Sequence, residues 1–172
     1  MTIERFAPSP TGFLHLGHAY SALLAYNSAL ESGGKFLIRI EDIDRFRCKK
    51  KYVSQILDDL NWLGIKYEKP ILSQSTRFFE YKNVLKKLWK TNYLFACNCS
   101  RKEINIASAP NETQRFGPDG IIYPNTCINK LKLKNMPETA LRLNLNNLDK
   151  ENFSFFDKKY GEISFTKEDA IE

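Results

Sequence analysis

Arg5-Phe6-Ala7-Pro8-Ser9-Pro10-Thr11-Gly12-Phe13-Leu14-His15-Leu16-Gly17-His18 is the stretch on which the fold turns. Ile3 to Ala7 reads as a short strand, and Pro8-Ser9-Pro10-Thr11-Gly12 as a proline-rich turn. From Gly17 an apolar stripe of Ala19, Leu23, Leu24, Ala25 and Leu30 predicts a helix that ends at Gly33-Gly34. Two imidazoles and a glycine therefore stand where a strand hands over to a helix. A helix N-terminus offers free backbone N–H groups and the positive end of the helix dipole, which suits a triphosphate. His15 and His18 add hydrogen bonds to the phosphates, strongest when charge builds in the transition state. Gly17, lacking a Cβ, lets a flat base approach the backbone. The plainer alternative makes His15 a helix cap and His18 a surface histidine.

Downstream, Phe36 to Ile40 predicts a second strand, followed at once by Glu41, Asp42 and Asp44. Strand, helix, strand over so short a span is a βαβ unit, with parallel pairing. Functional groups of open parallel sheets sit at the carboxyl ends of the strands, where Glu41 lies. A carboxylate there can hold an α-ammonium group. Arg5 can grip a side-chain carboxylate through a bidentate pair. Asp42 and Asp44 serve equally well as caps of the following turn or helix.

Helices are expected from Lys49 to Leu63, with Val53, Ile56, Leu57, Leu60 and Leu63 on one face, and from Ser75, a candidate N-cap, through Leu88. Tyr93 to Ala96, Ala140 to Leu145 and Glu162 to Phe165 read as strands. Asn105 to Asn129, polar and without periodicity, reads as a loop-rich insertion.

The 172 residues suffice for one domain with a core and a small appended lobe. No apolar run approaches the length of a membrane span, and the first residues lack the pattern of a secretory signal. A cytoplasmic location without a membrane partner is the expectation, in a monomer. Lys and Arg number 26 against 20 Asp and Glu, a formal charge of +6, which favours a polyanionic partner without identifying one. Four cysteines occur, and in a reducing compartment clustered thiols point to metal more than to disulfides. Cys97 and Cys99 precede the insertion, and Tyr123-Pro124-Asn125-Thr126-Cys127 closes it. Three thiolates with a phenolate or water would complete a tetrahedral zinc shell. Cys48 has no partner nearby in sequence.

His15-Leu16-Gly17-His18 resembles the HIGH signature of class I aminoacyl-tRNA synthetases, and Arg5 to Gly12 is similar to the opening of their glutamate-specific branch. Leu37 to Asp44 resembles the second strand of that family, with its Arg-Ile-Glu-Asp run. The resemblance implies an α/β fold with a Rossmann-like parallel sheet, incomplete here, and an inserted zinc-binding connective lobe. It divides the chain at residues 1–61, 62–134 and 135–172. It implies ATP, accompanied by Mg2+, and L-glutamate as substrates, with glutamate held around Arg5, Phe6, Ala7, Pro8, Ser9 and Glu41. His15, Gly17 and His18 would serve the nucleotide.

Within that branch, Cys97-x-Cys99 followed by Tyr123-xxx-Cys127 resembles the zinc knuckle of the glutamyl-queuosine tRNA(Asp) synthetases, whose tyrosine is the fourth ligand. That subfamily activates glutamate without tRNA and attaches it to queuosine at the wobble position of tRNA(Asp). His18-Ala19-Tyr20-Ser21-Ala22-Leu23 and Ile43-Asp44-Arg45-Phe46-Arg47-Cys48 also differ from the ordinary enzyme, which charges tRNA(Glu). Ile128 stands where the knuckle segment usually continues into arginine. No Lys-x-Ser-Lys pattern of the KMSKS type occurs, and Ala170-Ile171-Glu172 reads as a cut end. Two expectations stand beside enzymatic activity: a tRNA-binding remnant, and a metal-dependent nucleic-acid module.

Overall fold

The computed structural model describes residues 2–108, 116–117, 120–130 and 133–171. They fall into two compact units, Met1–Tyr81 and Lys82–Glu172.

In the first unit, β1 (Ile3–Phe6), α1 (Leu16–Glu31) and β2 (Lys35–Ile40) form the expected βαβ unit, with β1 and β2 parallel and Arg5 opposite Leu37. After α2 (Lys50–Trp62), the short β3 (Leu72–Ser73) joins β2 in parallel and gives the order β1-β2-β3. The helix-to-strand return is tight for a definable reason. Gly33 has φ +57°, and a Cβ on Gly34 would lie 2.3 Å from the carbonyl oxygen of Thr2. Only glycine fits at 34, which brings Lys35 N–H to the same carbonyl at 3.0 Å and starts β2 in register.

Phe6, Ala22, Ala29, Phe36, Ile38, Ile40, Ile56, Leu60 and Ile65 make one buried cluster. The α2 face is as its periodicity predicts: Ile56 and Leu60 are buried, and Val53, Leu57 and Leu63 pack against the cluster. The α1 stripe holds in part: Leu23 and Ala25 pack against the cluster. Ala22 and Ala29 are the buried residues of α1, while Leu24 and Leu30 are each 60% exposed. Small residues are the ones fully buried on this helix because it lies close to the strands, while Leu24 and Leu30 are turned outward. Ser75 does not cap a helix. A 3-10 turn, Gln74–Arg77, precedes α3 (Phe78–Lys90), and Ser75 instead binds Asp42.

In the second unit, β4 (Leu94–Ala96) leads to α4 (Arg101–Ala107), so a helix occupies the start of the segment expected as loop. Ser100 and Glu103 form a reciprocal capping box there, which accounts for it. β5 (Phe116–Gly117) and β6 (Gly120–Ile121) pair antiparallel, as do β4 and β7 (Leu141–Leu143). β8 (Asn152–Asp157) and β9 (Gly161–Thr166) make a hairpin before α5 (Lys167–Ile171). Among the described residues, the buried apolar side chains of this unit are Trp89, Leu94, Cys97 and Cys127. Half of that small set is thiol, so the described residues of this unit bury little hydrophobic core of their own.

Candidate active site and metal centre

The turn after β1 is tied by two backbone bonds, one to the end of β2 and one to the start of α2. Glu41 N–H donates to the Pro8 carbonyl and Lys49 N–H to that of Pro10, each at 3.0 Å. This stitching builds a cleft of about 590 Å³ at the carboxyl end of β1, lined by Arg5 through Ser9, Thr11 through His15, His18 and Ser21, Pro10 excepted. Arg5, Phe6, Ala7, Pro8, Ser9, His15 and His18 are thus brought together. Gly17 and Glu41 are outside its lining.

His15 is the N-cap of α1, so the cap reading is correct as far as it goes. Its Nδ1 accepts from Gly17 N–H at 3.2 Å, and His18 Nδ1 accepts from His15 N–H at 3.3 Å. The two ring centroids lie 3.8 Å apart. Because each Nδ1 serves as an acceptor, each neutral ring carries its proton on Nε2, which remains a donor for a phosphate oxygen. Capping uses the Nδ1 edge of each ring and leaves the Nε2–H edge for another acceptor. Burial, and then the neighbouring His15, hold His18 below its ordinary pKa, which favours the neutral form. A Cβ on Gly17 would stand 3.1 Å from His15 Cε1. In this structure the glycine therefore makes room for the imidazole.

Glu41 forms an ion pair with Arg39 on β2, both groups being 29% exposed. An ammonium group arriving at Glu41 must share or displace that guanidinium. The two aspartates resolve as braces. Asp42 accepts from Ser75 N–H at 2.8 Å and from its hydroxyl at 2.6 Å. Asp44 accepts from the N–H groups of Phe46 and Arg47, both at 3.1 Å. Arg39 is the group that sequence reading missed. Its signal was the alternation of β2, which puts a charge next to Ile38 and Ile40.

In the second unit, Cys97, Cys99 and Cys127 hold their sulfurs within 4.8 Å of one another. Cys99 and Cys127 sulfurs are 3.4 Å apart, and Tyr123 Oη is 3.3 Å from Cys97 Sγ. Zinc–sulfur bonds of about 2.3 Å in a tetrahedron require sulfurs about 3.8 Å apart, so this donor set fits zinc with minor adjustment. Local structure explains the convergence. β4 delivers Cys97, the α4 cap follows Cys99, and Asn125 at φ +58° turns the chain so that Cys127 points back. A hydrogen bond with Tyr123, aided by Cys99 and Lys130, brings the Cys127 thiol down to about 6, while burial and the Cys97 contact push Tyr123 up to about 12. The cluster thus biases the Cys127 sulfur toward thiolate and the Tyr123 phenol toward its protonated form. Arg142 on β7, not anticipated from sequence, lies 3.9 Å above the Tyr123 ring and holds it in place.

The family model for the catalytic domain of class I tRNA synthetases (E and Q) matches residues 2–171. This chain belongs to that family. Among the curated relatives of the class I synthetases, the glutamyl-Q tRNA(Asp) synthetase of Rhodobacter capsulatus is 52% identical over 147 residues, 83% of this chain and 53% of that protein. Glutamate–tRNA ligase 2 of Ehrlichia chaffeensis is 37% identical over 94% of this chain and 34% of its own length. The chain therefore spans between a third and about half of these relatives. A crystal structure of a glutamate tRNA ligase from Elizabethkingia meningosepticum in complex with its amino acid matches at TM-score 0.70 and 27% identity, over 96% of this chain and 36% of that one. The α/β class I synthetase fold with its parallel sheet is thereby established. Among the described residues, no helix is long and apolar enough to cross a membrane.

Proposed function

We propose that this chain is the glutamate-activating part of a glutamyl-Q tRNA(Asp) synthetase. The observation that carries the reading is the cleft whose lining includes Arg5, His15 and His18. L-glutamate binds with its side-chain carboxylate on Arg5 and its ammonium toward Glu41, along Phe6, Ala7, Pro8 and Ser9. ATP, with Mg2+, lies over the start of α1, with the Nε2–H groups of His15 and His18 on its phosphates and Gly17 freeing space for His15. The α-carboxylate of glutamate attacks the α-phosphorus, forming glutamyl-adenylate and releasing pyrophosphate. Transfer of the glutamyl group to queuosine of tRNA(Asp) then releases AMP. Preorganised neutral donors cost no reorganisation as charge shifts onto the leaving pyrophosphate.

Cys97, Cys99, Tyr123 and Cys127 would hold zinc. When bound, it supplies a structural cross-link between the β4 end and the 123–127 turn, in a lobe whose described residues bury little apolar core. The division at residues 1–61, 62–134 and 135–172, a cytoplasmic location and a monomeric state belong to the same reading. The 52% identity to the Rhodobacter protein favours queuosine. The Ehrlichia relative, matched over 94% of this chain, favours the second reading, attachment of glutamate to tRNA(Glu). Radiolabelled glutamate offered with tRNA(Asp), with and without queuosine, and with tRNA(Glu) separates the two. Label on queuosine-bearing tRNA(Asp) alone is the expected result. Label on tRNA(Glu) would install the second reading.

A further inference from the structure

The segment from Glu41 to Lys51 does more than close the cleft. Asp44 accepts from two successive N–H groups, ion-pairs with Arg47 Nε at 2.6 Å, and its carbonyl accepts from Cys48 N–H at 2.9 Å. The turn so braced presents Phe46 with 91% of its surface exposed. An aromatic ring held in water by a rigid turn has an apolar face available for a partner. Its surroundings are cationic. Arg45 and Arg47 flank it, and Lys49, Lys50 and Lys51 follow at the start of α2, where the first turn carries no acidic residue. Positive charge at that end of a helix opposes the dipole, so these lysines gain nothing from it, although Lys51 Nζ lies 4.8 Å over the Tyr52 ring. The turn is fixed to the cleft through the Lys49–Pro10 and Glu41–Pro8 bonds.

We propose that this turn is an RNA-docking element, with Phe46 stacking on an unpaired base of the substrate RNA and Arg45, Arg47 and Lys49 to Lys51 taking the flanking phosphates. The proposal rests on the reading that the substrate is RNA. A flat ring beside cations matches single-stranded nucleic acid, whose bases offer π-faces and whose backbone offers charge. An apolar protein partner would find five cations in its way.

The probe is a fluorescein-labelled RNA hairpin with an unpaired loop, alongside the same hairpin with abasic loop positions, measured by anisotropy. Phe46→Ala weakens binding of the hairpin about tenfold, Phe46→Trp restores it, and the abasic hairpin does not distinguish Phe46→Ala from the parent. Combined Arg45→Ala, Lys50→Ala and Lys51→Ala makes the salt dependence shallower, by a log–log slope of about 2. Equal binding by Phe46→Ala, no rescue by Trp, or no binding by the parent protein overturns the proposal. ATP and glutamate titrations on the same proteins keep this failure separate from that of the activation reading. Phe46→Ala leaves both unchanged.

Discussion

Gly17→Ala is expected to leave stability almost unchanged while displacing His15. Alanine in a helix is favoured over glycine by up to about 1 kcal/mol. Against that, the new Cβ would stand 3.1 Å from His15 Cε1 and 3.2 Å from its Nδ1, inside ordinary contact distance. The ring must rotate away, and its cap bond from Gly17 N–H is lost, at a cost of about 1 kcal/mol. The two terms cancel to within about 0.5 kcal/mol, so urea midpoints of variant and parent should nearly coincide. The imidazole reports the change directly. In nitrogen NMR, His15 Nδ1 should lose its acceptor signature, and the paired His18 ring should shift with it. ATP affinity, where one phosphate donor is misplaced, should fall at least about tenfold. A stabilisation approaching 1 kcal/mol with an unshifted His15 resonance would refute the reasoning, because it would mean that the ring never occupied the space above residue 17.

Leu60→Ala removes a fully buried side chain from the centre of the first unit and should cost about 2–5 kcal/mol in chemical denaturation, whereas Leu24→Ala, at a residue 60% exposed, should stay within about 0.5 kcal/mol. His18 should titrate by NMR with a midpoint below 6.5, since burial and His15 lower it. The sign follows: the unfolded chain takes up the proton first, so this group's contribution to stability is intact above about pH 6.5 and declines as pH falls toward the folded midpoint. A midpoint above 6.5 would contradict the packing described. Cys127→Ser should lower zinc content by mass spectrometry and the melting temperature of the second unit, and chelation of the parent should do the same. Parent protein that melts identically with and without chelator would remove zinc's structural role.

The first unit was legible because its signals are local. A strand, a proline turn and a histidine cap follow one another directly, and α2 shows its face with the period of a helix. The α1 stripe was right at Leu23 and Ala25 and wrong at Leu24 and Leu30, because close helix–strand packing centres the buried face on Ala22 and Ala29. Arg39 escaped notice because its partner Glu41 was already assigned to a ligand. In the second unit, the cysteines and Tyr123 were found by type and spacing, but Arg142 reaches the Tyr123 ring through the β4–β7 pairing, which no local pattern encodes. β8 was also missed. Its sequence, Asn-Phe-Ser-Phe-Phe-Asp, breaks alternation, and pairing with β9 defines it.

Glutamate-dependent exchange of pyrophosphate into ATP tests the central claim most directly. The account predicts exchange that requires glutamate, proceeds without tRNA and collapses in Arg5→Ala and His18→Ala. Exchange supported equally by glutamine, or ATP and glutamate both bound with no exchange under any condition, would contradict it.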